Sequence, residues 1–205
     1  MTSSKPRVIG LTGGIATGKS SVARLLEQHG AVVIDADQLS REAVMPGSAG
    51  LAHIIAAFGE DVLSADGSLD RAHLREIIFV DNEKRRQLEQ ILHPEIKQLA
   101  EEQIAAAAEK HKLVFYMAPL LIEAGATDRV DEIWVVTVSP EVQIQRLMVR
   151  DGVSFEQAQA IIGTQMPLAE KVCCGRVVID NSGTLEQTRQ IVDALWVQET
   201  GDFDE

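Results

Sequence analysis

Near the start of the chain, Gly13-Gly14-Ile15-Ala16-Thr17-Gly18-Lys19-Ser20 has the spacing G-x-x-x-x-G-K-[ST]. Each position has a chemical reason. Gly13 and Gly18 permit backbone angles that a side chain forbids, so successive amide N–H groups can turn inward on an anion. A helix opening directly behind the loop adds partial positive charge beside the phosphates. Lys19 is placed to reach the β- and γ-phosphates of a nucleotide, and the Ser20 hydroxyl is a ligand for magnesium. The loop implies ATP chemistry with Mg2+.

A second group supplies acid–base chemistry. The apolar run at 31–36 ends in Ile34-Asp35-Ala36-Asp37, and ligands of open α/β sheets bind beyond the carboxyl ends of strands. Asp37 is therefore expected near the γ-phosphate if this strand neighbours the first. A kinase acting on a hydroxyl needs a carboxylate within hydrogen-bond reach of it. On an extended chain Asp35 and Asp37 point to the same side, so spacing alone leaves both open, and both also suit helix caps. Arg146 and Arg150 stand four apart on a predicted helix and share a face. They can stabilise charge that spreads over the transferred phosphoryl group; the competing reading is a solvated face paired to Asp151 or Glu141.

These residues need a scaffold, and the apolar pattern supplies one. Runs at 8–12, 31–36, 113–118, 133–138 and 177–180 are short, rich in valine and isoleucine, and apolar on both faces, as buried parallel strands are. Helical stretches at 19–29, 94–112, 140–150 and 185–197 alternate with them, which reads as a doubly wound α/β domain. More than seventy residues separate the second run from the third, far beyond a single crossover helix. Residues 41–103 are predicted to be a mostly helical insert, broken at Pro46-Gly47 and Asp66-Gly67. The core is then 1–40 with 104–205, and a smaller insert at 151–170 is predicted to be a lid. The acidic tail after Trp196 is expected to fray.

Composition narrows the function classes. The chain has 205 residues, 45% of them apolar, and a net charge of -12, which suits one compact domain and argues against a non-specific nucleic-acid binder. A local site on such a protein can still hold a polyanion. Cys173 and Cys174 are adjacent and have neither metal-ligand nor disulfide-framework spacing. The start, MTSSKPR, has no signal-peptide apolar region, and no run approaches the length of a membrane span. The expectation is a cytoplasmic protein without a membrane or nucleic-acid partner; oligomeric state is left open.

Taken together, LTGGIATGKSSVA, VIDADQLSRE, DGSLDR, LHPEI, PLLIE, VSPEVQIQRLMVRDGVS and VIDNSG resemble the dephospho-coenzyme A kinase family, over nearly the whole chain. The first string is shared by many P-loop kinases. The order IDAD, Ser40-Arg41-Glu42, His93-Pro94 and Pro119-Leu120-Leu121 is much more specific. The resemblance implies a P-loop three-layer α/β/α fold with a five-stranded parallel sheet, a helical insert and a lid, similar to nucleoside-monophosphate kinases. It implies transfer of the γ-phosphoryl of ATP to the ribose 3′-hydroxyl of dephospho-coenzyme A. By the same resemblance Asp37 accepts the hydroxyl proton, and the ATP site runs through Gly13, Gly14, Ile15, Ala16, Thr17, Gly18, Lys19, Ser20 and Ser21, with Asn181 near the adenine. Arg146 and Arg150 belong to the lid, while Arg41, Arg71, His93 and Pro119 fall where the acceptor lies.

The chain departs from the family pattern at Ala16-Thr17, where many relatives have Gly-Ser, and a negative φ is expected at Ala16 so that its Cβ is tolerated. Met117 stands where many carry an aspartate, which shifts metal binding toward Ser20 and Asp37. Cys174-Gly175-Arg176 replaces small residues and an aspartate and puts details of the nucleotide pocket in question. Two other readings stay open: a kinase for another small hydroxyl acceptor, such as a nucleoside or nucleotide, and a regulatory P-loop ATPase. No guanine-selective N-K-x-D occurs in the sequence.

Overall fold

The computed structural model describes residues 6–201. Strands β1 (Arg7–Gly13), β2 (Val32–Asp35), β3 (Leu113–Met117), β4 (Glu132–Thr137) and β5 (Val177–Asp180) form one parallel sheet in the order β2-β3-β1-β4-β5. The helices are α1 (Lys19–Gln28), α2 (Ala36–Glu42), α3 (Ala49–Phe58), α4 (Arg71–Val80), α5 (Asn82–Ala108), α6 (Pro140–Asp151), α7 (Phe155–Ile162), α8 (Leu168–Cys174) and α9 (Leu185–Gly201). Among the described residues no helix is long and apolar enough to cross a membrane.

The central strands β1, β3 and β4 are covered on both faces, while in β5 Ile179 is buried and Val178 exposed. On one face Ile9, Leu11, Phe115, Trp134, Val136 and Ile179 pack against Val22, Leu25 and Leu26 of α1 and Val192 of α9. Phe115 meets Trp134 edge to face, with ring centroids 5.2 Å apart. The other face is also buried, at Val8, Val114, Tyr116 and Val135. The strand order corrects one expectation. β3 lies between β1 and β2, so the strand bearing Asp35 does not neighbour the strand that enters the phosphate loop. A long excursion returns the chain to the gap between the first two strands, and topology of that kind leaves no mark in apolar periodicity.

The chain divides into two compact units, one taking the residues up to Ile34 and from Ala106 on, the other Asp35–Ala105. The second unit is helical and has its own core of Val44, Ile54, Val62, Leu74 and Leu88. Its breaks fall where turn residues stand. Pro46-Gly47 lies between α2 and α3, and Asp66-Gly67 between Leu63 and Leu69, which form an isolated antiparallel bridge. Side-chain caps begin its helices: Ser48 accepts from Leu51 N–H at 3.1 Å and Asp70 from His73 N–H at 2.9 Å.

Pro94 overturns a second expectation. It does not begin a helix; α5 runs through it over 27 residues. An interior proline removes a hydrogen bond and costs about 3 kcal/mol. Leu88, Ile91 and Leu92, in the turns just before it, pack into the unit's core, and that burial offsets a local penalty which sequence rules treat as a boundary.

The acidic tail also differs from expectation. Residues 197–201 continue α9, while 202–205 lie outside the described residues. Glu199 is buried, with 5% of its side chain exposed. It accepts hydrogen bonds from Arg7, at the start of β1, and from Arg176, just before β5, at 2.5 Å. Arg176 also bonds both carboxylate oxygens of Glu132, at 2.8 and 2.6 Å. These residues precede or begin parallel strands, so the network sits at the amino edge of the sheet, opposite the edge where the phosphate loop leaves β1. Arg176 therefore ties the last turn of α9 to the sheet and takes no part in the nucleotide end, which answers the question raised by its departure from the family pattern.

Burial pushes the Glu199 carboxyl up, but hydrogen bonds from Arg176 and Arg7 outweigh it and hold the group below its ordinary range. A carboxyl with a depressed folded-state pKa stabilises above its unfolded value, about 4.3, and loses that contribution as pH falls through the folded value. Glu199→Gln is expected to cost about 1.5–3 kcal/mol at pH 7, the scale of hydrogen bonds to a charged group. The gap to wild type should narrow below about pH 4, followed by thermal denaturation from pH 7 to 3; a gap independent of pH would remove the ion network from the stability of this edge.

Candidate active site

The phosphate loop joins β1 to α1. Gly18 caps α1 at φ 89°, a left-handed angle that favours glycine. A Cβ here would also collide with Nδ2 of Asn181 and lie 3.7 Å from Nη1 of Arg146. Backbone angle and close approach thus require the same residue. Asn181 is buried; its Nδ2 donates to Thr17 O at 2.8 Å, and its Oδ1 accepts from Thr188 of α9 at 2.6 Å. The structure so places Asn181 as a brace between the loop and α9.

The loop interior is held by Thr17 and by two glutamines that the sequence reading missed. Thr17 Oγ1 donates to Gly14 O at 2.9 Å, and Thr17 N–H reaches the same oxygen at 3.4 Å. Gln143 of α6 donates through Nε2 to Ile15 O at 2.8 Å. Ile15 N–H donates to Oε1 of Gln165 at 2.7 Å, so this amide is engaged by protein rather than presented inward. Ala16 has φ 59°, the one left-handed non-glycine among the described residues, where a negative φ was expected. Gln143 lies inside the string VSPEVQIQRLMVRDGVS and Gln165 outside every quoted string; their contacts with the loop, not a residue pattern, reveal their role.

Lys19 Nζ donates to the carbonyls of Gly13 and Gly14 at 2.8 and 2.9 Å, so the ammonium is folded over the loop. Ser20, the second residue of α1, is exposed. Arg146 and Arg150, one turn apart on α6, have different environments. Arg146 is half-buried beside Gly18. Arg150 is exposed and bonds Asp151 through Nε and Nη2 at 2.7 and 2.9 Å. That contact raises the Arg150 pKa further and holds Asp151 below the usual carboxylate range. The solvated-face reading thus describes Arg150 and not Arg146.

A buried lysine organises the segment after β3. Lys171 of α8 has no exposed side-chain surface and donates to Pro119 O at 2.8 Å and to Glu123 at 2.7 Å. Glu123 also accepts from Met166 N–H at 3.2 Å. Burial pushes Glu123 up, but the bond from Lys171 and the other donors bring it below its ordinary range. Buried lysines are rare without such partners. Met117 is packed in the sheet's apolar core, so β3 ends at its carboxyl edge in a methionine.

The remaining predicted residues lie in the helical unit. Asp35 caps α2, its Oδ1 accepting from Asp37 N–H at 2.9 Å. The two aspartates therefore do not share an extended strand: one ends β2 and the other sits in the first helical turn. Asp37 is exposed, and Arg41 follows one turn later on the same face. Arg71 begins α4 behind its cap Asp70, and His93 is exposed midway along α5.

Lys171→Met keeps the buried stem but leaves Glu123 and Pro119 O without their donor. A loss of about 3 kcal/mol or more is expected, as for one partner removed from a buried pair, and Glu123→Gln should cost less because it keeps an acceptor. Chemical denaturation measures both; a near-neutral Lys171→Met would show that the contact does not fix this segment.

The chain matches the family model described as dephospho-CoA kinase over residues 7–187. It is 54% identical over 192 residues to a dephospho-CoA kinase of Geobacter sulfurreducens, covering 93% of this chain and 98% of the relative. Among solved structures, a dephospho-CoA kinase from Campylobacter jejuni aligns over 97% of this chain and 98% of its own at 27% identity and a TM-score of 0.75. A Thermus thermophilus protein aligns over 95% and 98% at 33% identity and a TM-score of 0.78. With a family model matched across most of its length and a relative identical at more than half the aligned positions, this chain belongs to the dephospho-CoA kinase family.

Proposed function

We propose that this protein transfers the γ-phosphoryl group of ATP to the 3′-hydroxyl of dephospho-coenzyme A. The observation that carries the reading is a complete phosphate loop, at the carboxyl edge of a parallel sheet, in a chain belonging to this kinase family. The loop binds the triphosphate through its remaining amides, the N-terminus of α1 and Lys19. Lys19 exchanges its present bonds to Gly13 O and Gly14 O for phosphate oxygens.

Asp37 accepts the proton of the attacking hydroxyl. Asp35 is the weaker candidate because one of its carboxylate oxygens caps α2. Arg146, beside Gly18, stabilises charge on the transferred group. Arg41, Arg71, His93 and Pro119 contribute to the acceptor's binding, Pro119 on a segment held by Lys171. Asn181 supports the nucleotide end through its bond to Thr17.

The residues present fit a magnesium ion that arrives with the nucleotide. Among the described residues no group of three His, Cys, Asp or Glu side chains could hold a metal, and magnesium characteristically binds through few protein oxygens, several waters and substrate phosphates. Ser20 would hold it, and the ion would neutralise charge on the phosphate oxygens. We place the activity in the cytoplasm, where both substrates are small soluble molecules.

ADP release measured with dephospho-coenzyme A and with a panel of nucleosides tests the acceptor. Stimulation by dephospho-coenzyme A is expected, and its absence overturns the reading. In the same assay Asp37→Asn should lower kcat by ~100-fold or more, the usual scale for a general base, with ATP affinity nearly unchanged. Arg146→Ala should lower kcat far more than Arg150→Ala, whose guanidinium is bound to Asp151; equal losses would return both arginines to one role.

A further inference from the structure

We infer that Gln143 and Gln165 are positioning residues that fix the direction of one peptide group in the phosphate loop. The inference rests on the reading of that loop as the ATP site. Gly14 to Thr17 form a four-residue turn, closed by Thr17 N–H on Gly14 O at 3.4 Å. Its third residue, Ala16, has φ 59°, while its second, Ile15, does not have a positive φ. A positive φ at the third position alone is the signature of a type II turn, where glycine is ordinarily required. Alanine favours type I instead.

The two turn types differ by a flip of the central peptide, here the Ile15 carbonyl with the Ala16 N–H. Gln143 donates to that carbonyl at 2.8 Å. Gln143 is itself 5% exposed, so water does not readily replace it. A trans peptide directs its N–H opposite its C=O, so holding the carbonyl on Gln143 directs Ala16 N–H away from α6, as one of the loop's phosphate donors. Gln165 engages the other polar group of Ile15, its N–H, at 2.7 Å, and fixes the corner on which the flip would pivot. Gly14 belongs to the same device: its φ is not positive, yet a Cβ there would lie 2.8 Å from Nε2 of Gln143. A side chain at Gly14, which fills an x position of the motif, would therefore push the Gln143 amide from its place. Strain at a residue such as Ala16 persists only when its surroundings over-determine it, and the two glutamines are those surroundings.

The test separates this role from general stability. Gln143→Met keeps volume but removes the donor, so that alanine's preference for the flipped peptide prevails. ATP-magnesium binding, by calorimetry without acceptor, should weaken about tenfold, the factor matching the left-handed cost of one residue. The KM for ATP should rise while that for dephospho-coenzyme A does not. Adding Ala16→Gly, which removes the residue's objection to positive φ, should restore most of the binding. A merely structural glutamine would not be rescued this way. Unchanged affinity in Gln143→Met, or no rescue by Ala16→Gly, overturns the proposal. If Gln143→Met does not fold, Gln165→Ala at its half-buried site serves: weaker ATP binding rescued by Ala16→Gly supports the clamp, and weaker binding without rescue overturns it. Wild-type protein that binds no ATP overturns the underlying ATP reading, a result distinct from variants that bind as wild type does.

Discussion

A loop that offers backbone amides to a polyanion must leave those amides without protein partners, and a segment in that condition does not hold its own shape. The rest of this molecule's nucleotide end follows from that constraint. β1 and α1 fix the loop's two ends. Between them, Asn181 holds Thr17 O, Thr17 holds Gly14 O, and the two glutamines hold both polar groups of Ile15. Carbonyls and the Ile15 amide are engaged by side chains, and Thr17 N–H closes on Gly14 O, which fixes the direction of the amides between them. The supporting side chains come from α6, from the segment before α8 and from the end of β5, so the loop's shape is a property of the whole α/β unit.

The same sheet solves a different problem at each edge. At the amino edge, Arg7, Glu132, Arg176 and Glu199 neutralise one another and anchor the last turn of α9. A buried carboxylate is tolerated there because it accepts from two guanidinium groups. At the carboxyl edge, Lys19 donates to the carbonyls of Gly13 and Gly14. Lys171 lies beyond that edge, buried, and donates to Glu123 and Pro119 O.

Apolar runs located all five strands within a residue or two, because the strands of a parallel sheet covered by helices are apolar along most of their length. The sequence reading failed at Pro94 and at the chain's end for one shared reason. Proline rules and terminal composition describe local free energies of a few kcal/mol, and tertiary burial of neighbouring residues exceeds them. Leu88, Ile91 and Leu92 carry α5 through its proline, and Glu199 carries α9 past the point where acidic residues usually fray.

The sequence by itself determined the chemistry. The glycine spacing, Lys19 and Ser20 specify a phosphate cradle, and the joint order of the landmarks from Asp37 to Asn181 along the chain carries the resemblance to the family. Only the tertiary structure decided how the cradle is held. The insertion of β3 between β1 and β2, the split between Arg146 and Arg150, the positive φ at Ala16 and the grip of Gln143 and Gln165 all depend on residues that are distant in the chain and ordinary in type. A hydrogen bond across 128 or 150 positions has no local pattern to announce it; it exists because packing of the sheet and its helices brings a neutral amide to a distant peptide group.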